Sequence, residues 1–138
     1  MKEKFITLFK NIALETSKLS TCNRASVGAV IVKNNQILAT GYNGSPAKTD
    51  HCNEVGCYIE NGHCVRTVHA EINAILQCSR YGTSTEGAYI FVTHMPCLAC
   101  TQAIINAGIK KIFYINEYDA SPLRKEQLEE AYIEVIKI

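Results

Sequence analysis

Two short segments constrain this chain more than anything else in it: His69-Ala70-Glu71 and Pro96-Cys97-Leu98-Ala99-Cys100. Together they offer one imidazole, two thiols two residues apart, and a carboxylate beside the imidazole. One His and two Cys are three ligands for a tetrahedral zinc, with the fourth position left to water, which marks a reactive site rather than a closed structural one. A fold that uses them must bring two stretches of chain, distant in sequence, to a single ion.

Hydrophobic spacing places those stretches on secondary structure. Phe5, Leu8, Phe9, Ile12 and Ala13 recur at i, i+3, i+4, i+7 and i+8, which predicts an amphipathic helix over residues 2–18. Val27 to Val32 is a continuous apolar run rich in β-branched residues and reads as a buried strand. Lys33 to Gln36 is a turn, and Ile37 to Thr40 is the returning arm of a hairpin. Gly41 to Gly62 holds no periodicity and is expected to be a long functional loop. Ala70, Ile72, Ala74, Ile75 and Cys78 follow helical spacing from His69 to Arg80, with Gly82 as the stop and Cys78 as plain core.

Tyr89 to Thr93 reads as a third strand. Pro96 opens a helix over 97–107, which Gly108 ends. Lys111 to Ile115 is a fourth strand, 123–132 a helix, and 133–138 a last strand. The order predicts an α/β fold, a three-layer α/β/α sandwich around a mixed five-stranded sheet, as one domain over 1–138.

Both halves of the ligand set fall at expected helix starts. Free N–H groups and the positive end of the helix dipole favour thiolate there, the form that binds metal. His-x-Glu followed by Pro-Cys-x-x-Cys is the signature of zinc-dependent base deaminases. The chemistry that follows is hydrolytic deamination. Water attacks the ring carbon bearing the amino group, and Glu71 takes its proton, protonates the ring nitrogen and later delivers a proton to departing ammonia. By that signature Glu71 would be a proton shuttle, and His69, Cys97 and Cys100 the zinc ligands.

Composition narrows the partners. A chain of 138 residues suits one compact domain, and no apolar run reaches the ~18 residues of a membrane span. Met1-Lys2-Glu3-Lys4-Phe5 is no secretory signal, so the expected location is cytoplasmic, or host cytoplasm if the source is viral. A net charge of +1 gives no basic field to gather a polynucleotide. Seven cysteines, an odd number, suit metal ligation better than disulfides.

Beyond the zinc motif, the chain carries Val27 to Val32, Gly41-Tyr42-Asn43-Gly44-Ser45-Pro46, Cys64 to Ile75, and Thr93 to Cys100. Over roughly residues 20–118 it resembles the deoxycytidylate (dCMP) deaminase family of the cytidine deaminase-like superfamily, in its bacterial late-competence and phage form. The resemblance implies conversion of dCMP to dUMP and ammonia, supplying dUMP for dTMP synthesis. A wider substrate range such as dCTP, and a non-catalytic zinc-binding module, are the alternatives.

It also implies site residues. Asn43 would hydrogen-bond the substrate, Arg24 and Ser26 would meet phosphate, and Tyr118 would stand at the phosphate end. Ala70 would offer a backbone N–H to the pyrimidine carbonyl, and Thr93 a backbone contact to the amino group. A second, structural zinc is implied, with Cys22, Cys52, Cys57 and His63 as ligands and Cys64 and His51 as substitutes. His94 reads as structural or pocket-lining. Activation by dCTP, inhibition by dTTP and a homo-oligomer, a hexamer in many members of this family, complete what the resemblance implies.

Overall fold

The computed structural model describes residues 1–138. Its elements are α1 (Glu3–Ser17), β1 (Gly28–Lys33), β2 (Gln36–Tyr42), α2 (Cys52–Val55), β3 (Ile59–Glu60), β4 (His63–Cys64), α3 (Ala70–Arg80), β5 (Tyr89–His94), α4 (Leu98–Asn106), β6 (Lys111–Asn116), α5 (Leu123–Glu130) and β7 (Glu134–Lys137). Five strands form one sheet in the order β2-β1-β5-β6-β7. β1 pairs antiparallel with both β2 and β5, whereas β5–β6 and β6–β7 are parallel, so the sheet is mixed.

The continuous apolar runs are explained by burial on both faces. Ala29, Ile31, Ile90, Val92 and Ile112 pack with Ala70, Ala74, Ile104 and Leu128 of α3, α4 and α5. Val30, Val32, Phe91 and Phe113 face the other way, onto Phe9 and Ala13 of α1. Three layers result. Phe91 lies flat on Phe113 with ring centroids 4.3 Å apart and tilts against Phe9 at 5.4 Å. Truncating this fully buried ring is expected to destabilise by ~3–5 kcal/mol. A denaturant melt of Phe91→Ala checks it, through a lower midpoint at unchanged slope.

Two glycines set the spacing between layers. A Cβ on Gly28 would strike the Ala13 carbonyl oxygen and come within 2.7 Å of the Ser17 nitrogen. One on Gly41 would strike the Ala70 carbonyl oxygen and lie 2.6 Å from the Ala74 nitrogen. Bare backbone at Gly41 is therefore what lets α3 lie directly on β2.

The expected long loop is not featureless. A single helical turn, α2, is opened by His51, whose N–H donates to the Glu54 carboxylate at 3.3 Å. Beyond it β3 and β4 form a small hairpin, Ile59 opposite Cys64 and Glu60 opposite His63. Its turn is Asn61-Gly62, both at positive φ, a pairing that favours tight hairpins. Four helical residues and two-residue strands are too short for periodicity to reveal. β2 also runs two residues past the expected Thr40, to Tyr42.

Candidate active site

His69 and Cys97 are the N-caps of α3 and α4, so each sits at the end of a helix rather than inside it. Cys100 follows in the first turn of α4. The Cys97 and Cys100 sulfurs lie 3.6 and 3.3 Å from His69 Nδ1. With Zn–S of ~2.3 Å and Zn–N of ~2.0 Å, tetrahedral ligands to one zinc stand about 3.5 Å apart. The donor set and its spacing therefore fit that ion, with His69, Cys97 and Cys100 holding it.

The electrostatics point the same way. Cys97 is lowered to about 4 by its hydrogen bonds from Cys100 and His69, against opposing burial. Cys100 is pushed far up by Cys97 and by burial. Two adjacent thiols do not both ionise unless a cation stands between them. Hydrogen bonding to Cys97 raises His69, partly offset by burial.

Glu71 lies in the first turn of α3 and is only 4% exposed. Burial holds its carboxyl above the usual range, which brings it toward the pH where a group can both take and give a proton. Ala70, the first helical residue, carries one of the N–H groups that have no intrahelical acceptor.

The surrounding cleft has a volume of about 220 Å³, several times the ~30 Å³ share of one water, so it admits a small organic molecule. His69, Ala70, Glu71 and Cys97 form one part of its wall, and Arg24, His63 and Tyr118 another. Asn43 is buried against it. Its Oδ1 accepts from the Val27 N–H and its Nδ2 donates to the Ala25 carbonyl, both at 2.8 Å. One acceptor lone pair and one N–H of the amide remain for a ligand.

Backbone ties hold the walls in register. Gly44 and Val68 exchange two hydrogen bonds, at 3.2 and 2.9 Å, joining the Asn43 segment to the approach to His69. Asn73 Nδ2 donates to the Tyr42 carbonyl at 2.8 Å. Arg124 Nη1 donates to the carbonyls of Pro96 (3.0 Å) and Tyr118 (2.8 Å), fastening the rim to the segment that carries Cys97.

Two expected contacts are not at the cleft. Ser26 is exposed and does not line it, although Ala25 and Val27 on either side do. Thr93 is buried within the sheet and is absent from the cleft wall. Its carbonyl accepts from Asn116 Nδ2 at 2.8 Å and its hydroxyl from the Gly28 N–H at 3.1 Å. His94 lines the cleft, one of the two roles expected of it, and Ala25, Val27, Thr67 and Met95 join it there without having been expected. Met95 adjoins the Pro-Cys motif and could have been found by proximity; Thr67 had no comparable signal.

Four of the five remaining thiols form a second group, and Cys78 lies in the core. The sulfurs of Cys22, Cys52, Cys57 and Cys64 all lie within 4.8 Å of one another. Cys64 therefore takes the place given to His63. The two are neighbours on β4, where successive side chains face opposite ways; Cys64 turns to Cys52 at 3.6 Å while His63 is exposed. His51 instead contacts Thr21 Oγ1 through Nδ1 at 3.0 Å. Burial raises Cys52 to about 12. Against its own burial, backbone N–H groups of Arg66 and Tyr58 bring Cys64 down to about 7.

Residues 3–116 match the family described as the cytidine and deoxycytidylate deaminase zinc-binding region. ComE operon protein 2 of Bacillus subtilis is 50% identical over 119 residues, covering 86% of this chain; the chain spans 63% of that relative's length. The deoxycytidylate deaminase of Enterobacteria phage T4 is 37% identical over 92% of this chain and 86% of its own. Among solved structures, the dCMP deaminase of cyanophage S-TIM5 in complex with dCMP and dUMP superposes with a TM-score of 0.88. It is 35% identical and is covered over 99% of its length by the whole of this chain.

Proposed function

The chain belongs to the cytidine and deoxycytidylate deaminase family, and from that premise we propose that it hydrolyses dCMP to dUMP and ammonia. One observation carries the reading: the His69, Cys97 and Cys100 donor group and the buried Glu71 carboxyl stand at a cleft also lined by Arg24, His63 and Tyr118. When bound, zinc supplies a water of lowered pKa. Glu71 would accept a proton from the attacking water and pass it to the pyrimidine ring nitrogen. The water oxygen bonds to the ring carbon; Glu71 then takes the remaining proton from that oxygen and delivers it to the amino group, and the carbon–nitrogen bond breaks as the carbonyl forms and ammonia leaves. The Ala70 N–H and the Asn43 amide orient the base and sugar. Arg24 and Tyr118 receive the phosphate, the guanidinium through its forked donors.

Four substrates separate the alternatives: dCMP, CMP, deoxycytidine and dCTP, followed by absorbance with zinc measured on the same sample. dCMP is expected to turn over fastest. A fully metallated protein that releases ammonia from none of them overturns the reading, and a preference for dCTP changes its substrate.

The four-thiol group is assigned a second, structural zinc, since a complete set of four donors leaves no open position. Such an ion ties the segment before β1 to α2 and the β3–β4 hairpin, offsetting the entropy of ordering them. Two zinc ions per chain are expected, falling to one in Cys57→Ala, with a lower melting temperature. One ion in the unsubstituted protein removes the assignment. Its seven free cysteines suit a reducing cytoplasm. Exposed apolar side chains on β2 and α3, among them Ile37, Tyr42 and Leu76, support self-association. We extend the proposal to a hexamer activated by dCTP and inhibited by dTTP, on the family resemblance alone. Sedimentation and a dCMP assay with each nucleotide added test both parts.

A further inference from the structure

His94 is a polar group of the cleft to which the reaction gives no part. It ends β5, directly opposite Asn116 at the end of β6, two residues before Tyr118. In open α/β sheets, ligands gather beyond the carboxyl ends of parallel strands. His94 thus stands on the Tyr118 side of the cleft.

Hydrogen-bond accounting fixes its proton. Thr93 Oγ1 accepts from the Gly28 N–H and lies 2.9 Å from His94 Nδ1. Thr93 is buried, and its hydroxyl has no other partner in the protein. If Nδ1 carried the proton, that hydroxyl hydrogen would be left buried and unpaired, at a cost. The hydroxyl instead donates to Nδ1, and the ring proton sits on Nε2. Nε2 has no protein partner, yet it is not among the buried unsatisfied atoms, which are only Ser45 Oγ and Thr101 Oγ1. It is therefore open, on a residue that lines the cleft. Burial also lowers the ring's pKa, which keeps it a neutral donor.

We propose that His94 binds the phosphate of the nucleotide through Nε2–H, in a tautomer held by the Thr93 hydroxyl. The assignment rests on the mononucleotide reading above. Phosphate is the part of that ligand with three acceptor oxygens to satisfy, and Arg24 already gives Nη1 to the Gly62 carbonyl at 3.2 Å. A donor fixed before the ligand arrives loses little freedom on binding.

His94→Phe keeps a flat ring and deletes the donor. With the zinc-loaded protein, kcat/KM for dCMP is expected to fall about tenfold to a hundredfold, mainly through KM, while deoxycytidine turnover is unchanged. His94→Gln, which restores an N–H, should recover part of the loss. Equal losses on both substrates, or none on dCMP, overturn the proposal. Nitrogen NMR of histidine-labelled protein tests it without turnover, the His94 signals being assigned by their disappearance in His94→Phe. A proton on Nε2 and a shift of that signal on adding inorganic phosphate support it; a proton on Nδ1, or a signal that phosphate leaves unmoved, overturns it. Because this readout needs no reaction, failure of the deaminase reading and failure of the His94 assignment are told apart.

Discussion

Glu71→Gln is expected to lower deamination by at least ~10²–10⁴-fold while leaving the zinc content unchanged. The substitution preserves shape and keeps hydrogen-bonding atoms, and the residue lies outside the donor set of His69, Cys97 and Cys100. What it removes is a group that can accept and return a proton. Loss of structure would not mimic the result. Burial raises the Glu71 carboxyl, so its ionised form is disfavoured in the folded state and costs stability as pH rises above the ordinary carboxylate range. Gln carries no such cost, and the variant should melt no lower than the parent at neutral pH. Ammonia release, elemental zinc and a melting curve on one preparation check all three statements. Undiminished turnover would remove Glu71 from the reaction.

Gly41→Ala is expected to damage both the fold and the reaction, although Gly41 touches neither metal donor nor cleft. Its new methyl group would meet the Ala70 carbonyl oxygen and the Ala74 nitrogen, backbone atoms that cannot rotate away. The strand and α3 must separate. Overpacking of this kind costs ~1–3 kcal/mol or more. The first turn of α3 carries Ala70 and Glu71, and a shift of ~1 Å in catalytic geometry can cost ~10²-fold in rate. A lowered denaturation midpoint together with a fall in kcat at normal zinc content is the expected pair of results. Normal kcat in a stably folded variant would show that α3 is free to shift without consequence.

How legible this was in the sequence depends on length scale. Elements with several turns or a continuous apolar run were readable: α1 from Phe5, Phe9 and Ala13, β1 from Val30 to Val32, and both helix starts that hold the metal donors. The grouping of His69, Cys97 and Cys100 was readable too, because it follows from local spacing at two helix starts. The α2 turn and the β3–β4 hairpin were not, since so few residues carry no period; only Asn61-Gly62 signalled a turn. Choosing His63 over Cys64 went wrong for the same reason. Which of two neighbouring side chains faces inward is decided by strand pairing, and that strand has two residues. Thr93 failed because the partner that takes its carbonyl, Asn116, comes from another strand.

The Arg124 staple has a practical corollary for anyone trimming this molecule. The family match stops at residue 116, so a fragment cut there would keep His69, Glu71, Cys97 and Cys100. It would also forfeit Tyr118 and the lone guanidinium that bolts the mouth of the cleft to the Pro96 carbonyl. Such a fragment would contain the whole signature and lack the frame that aims it.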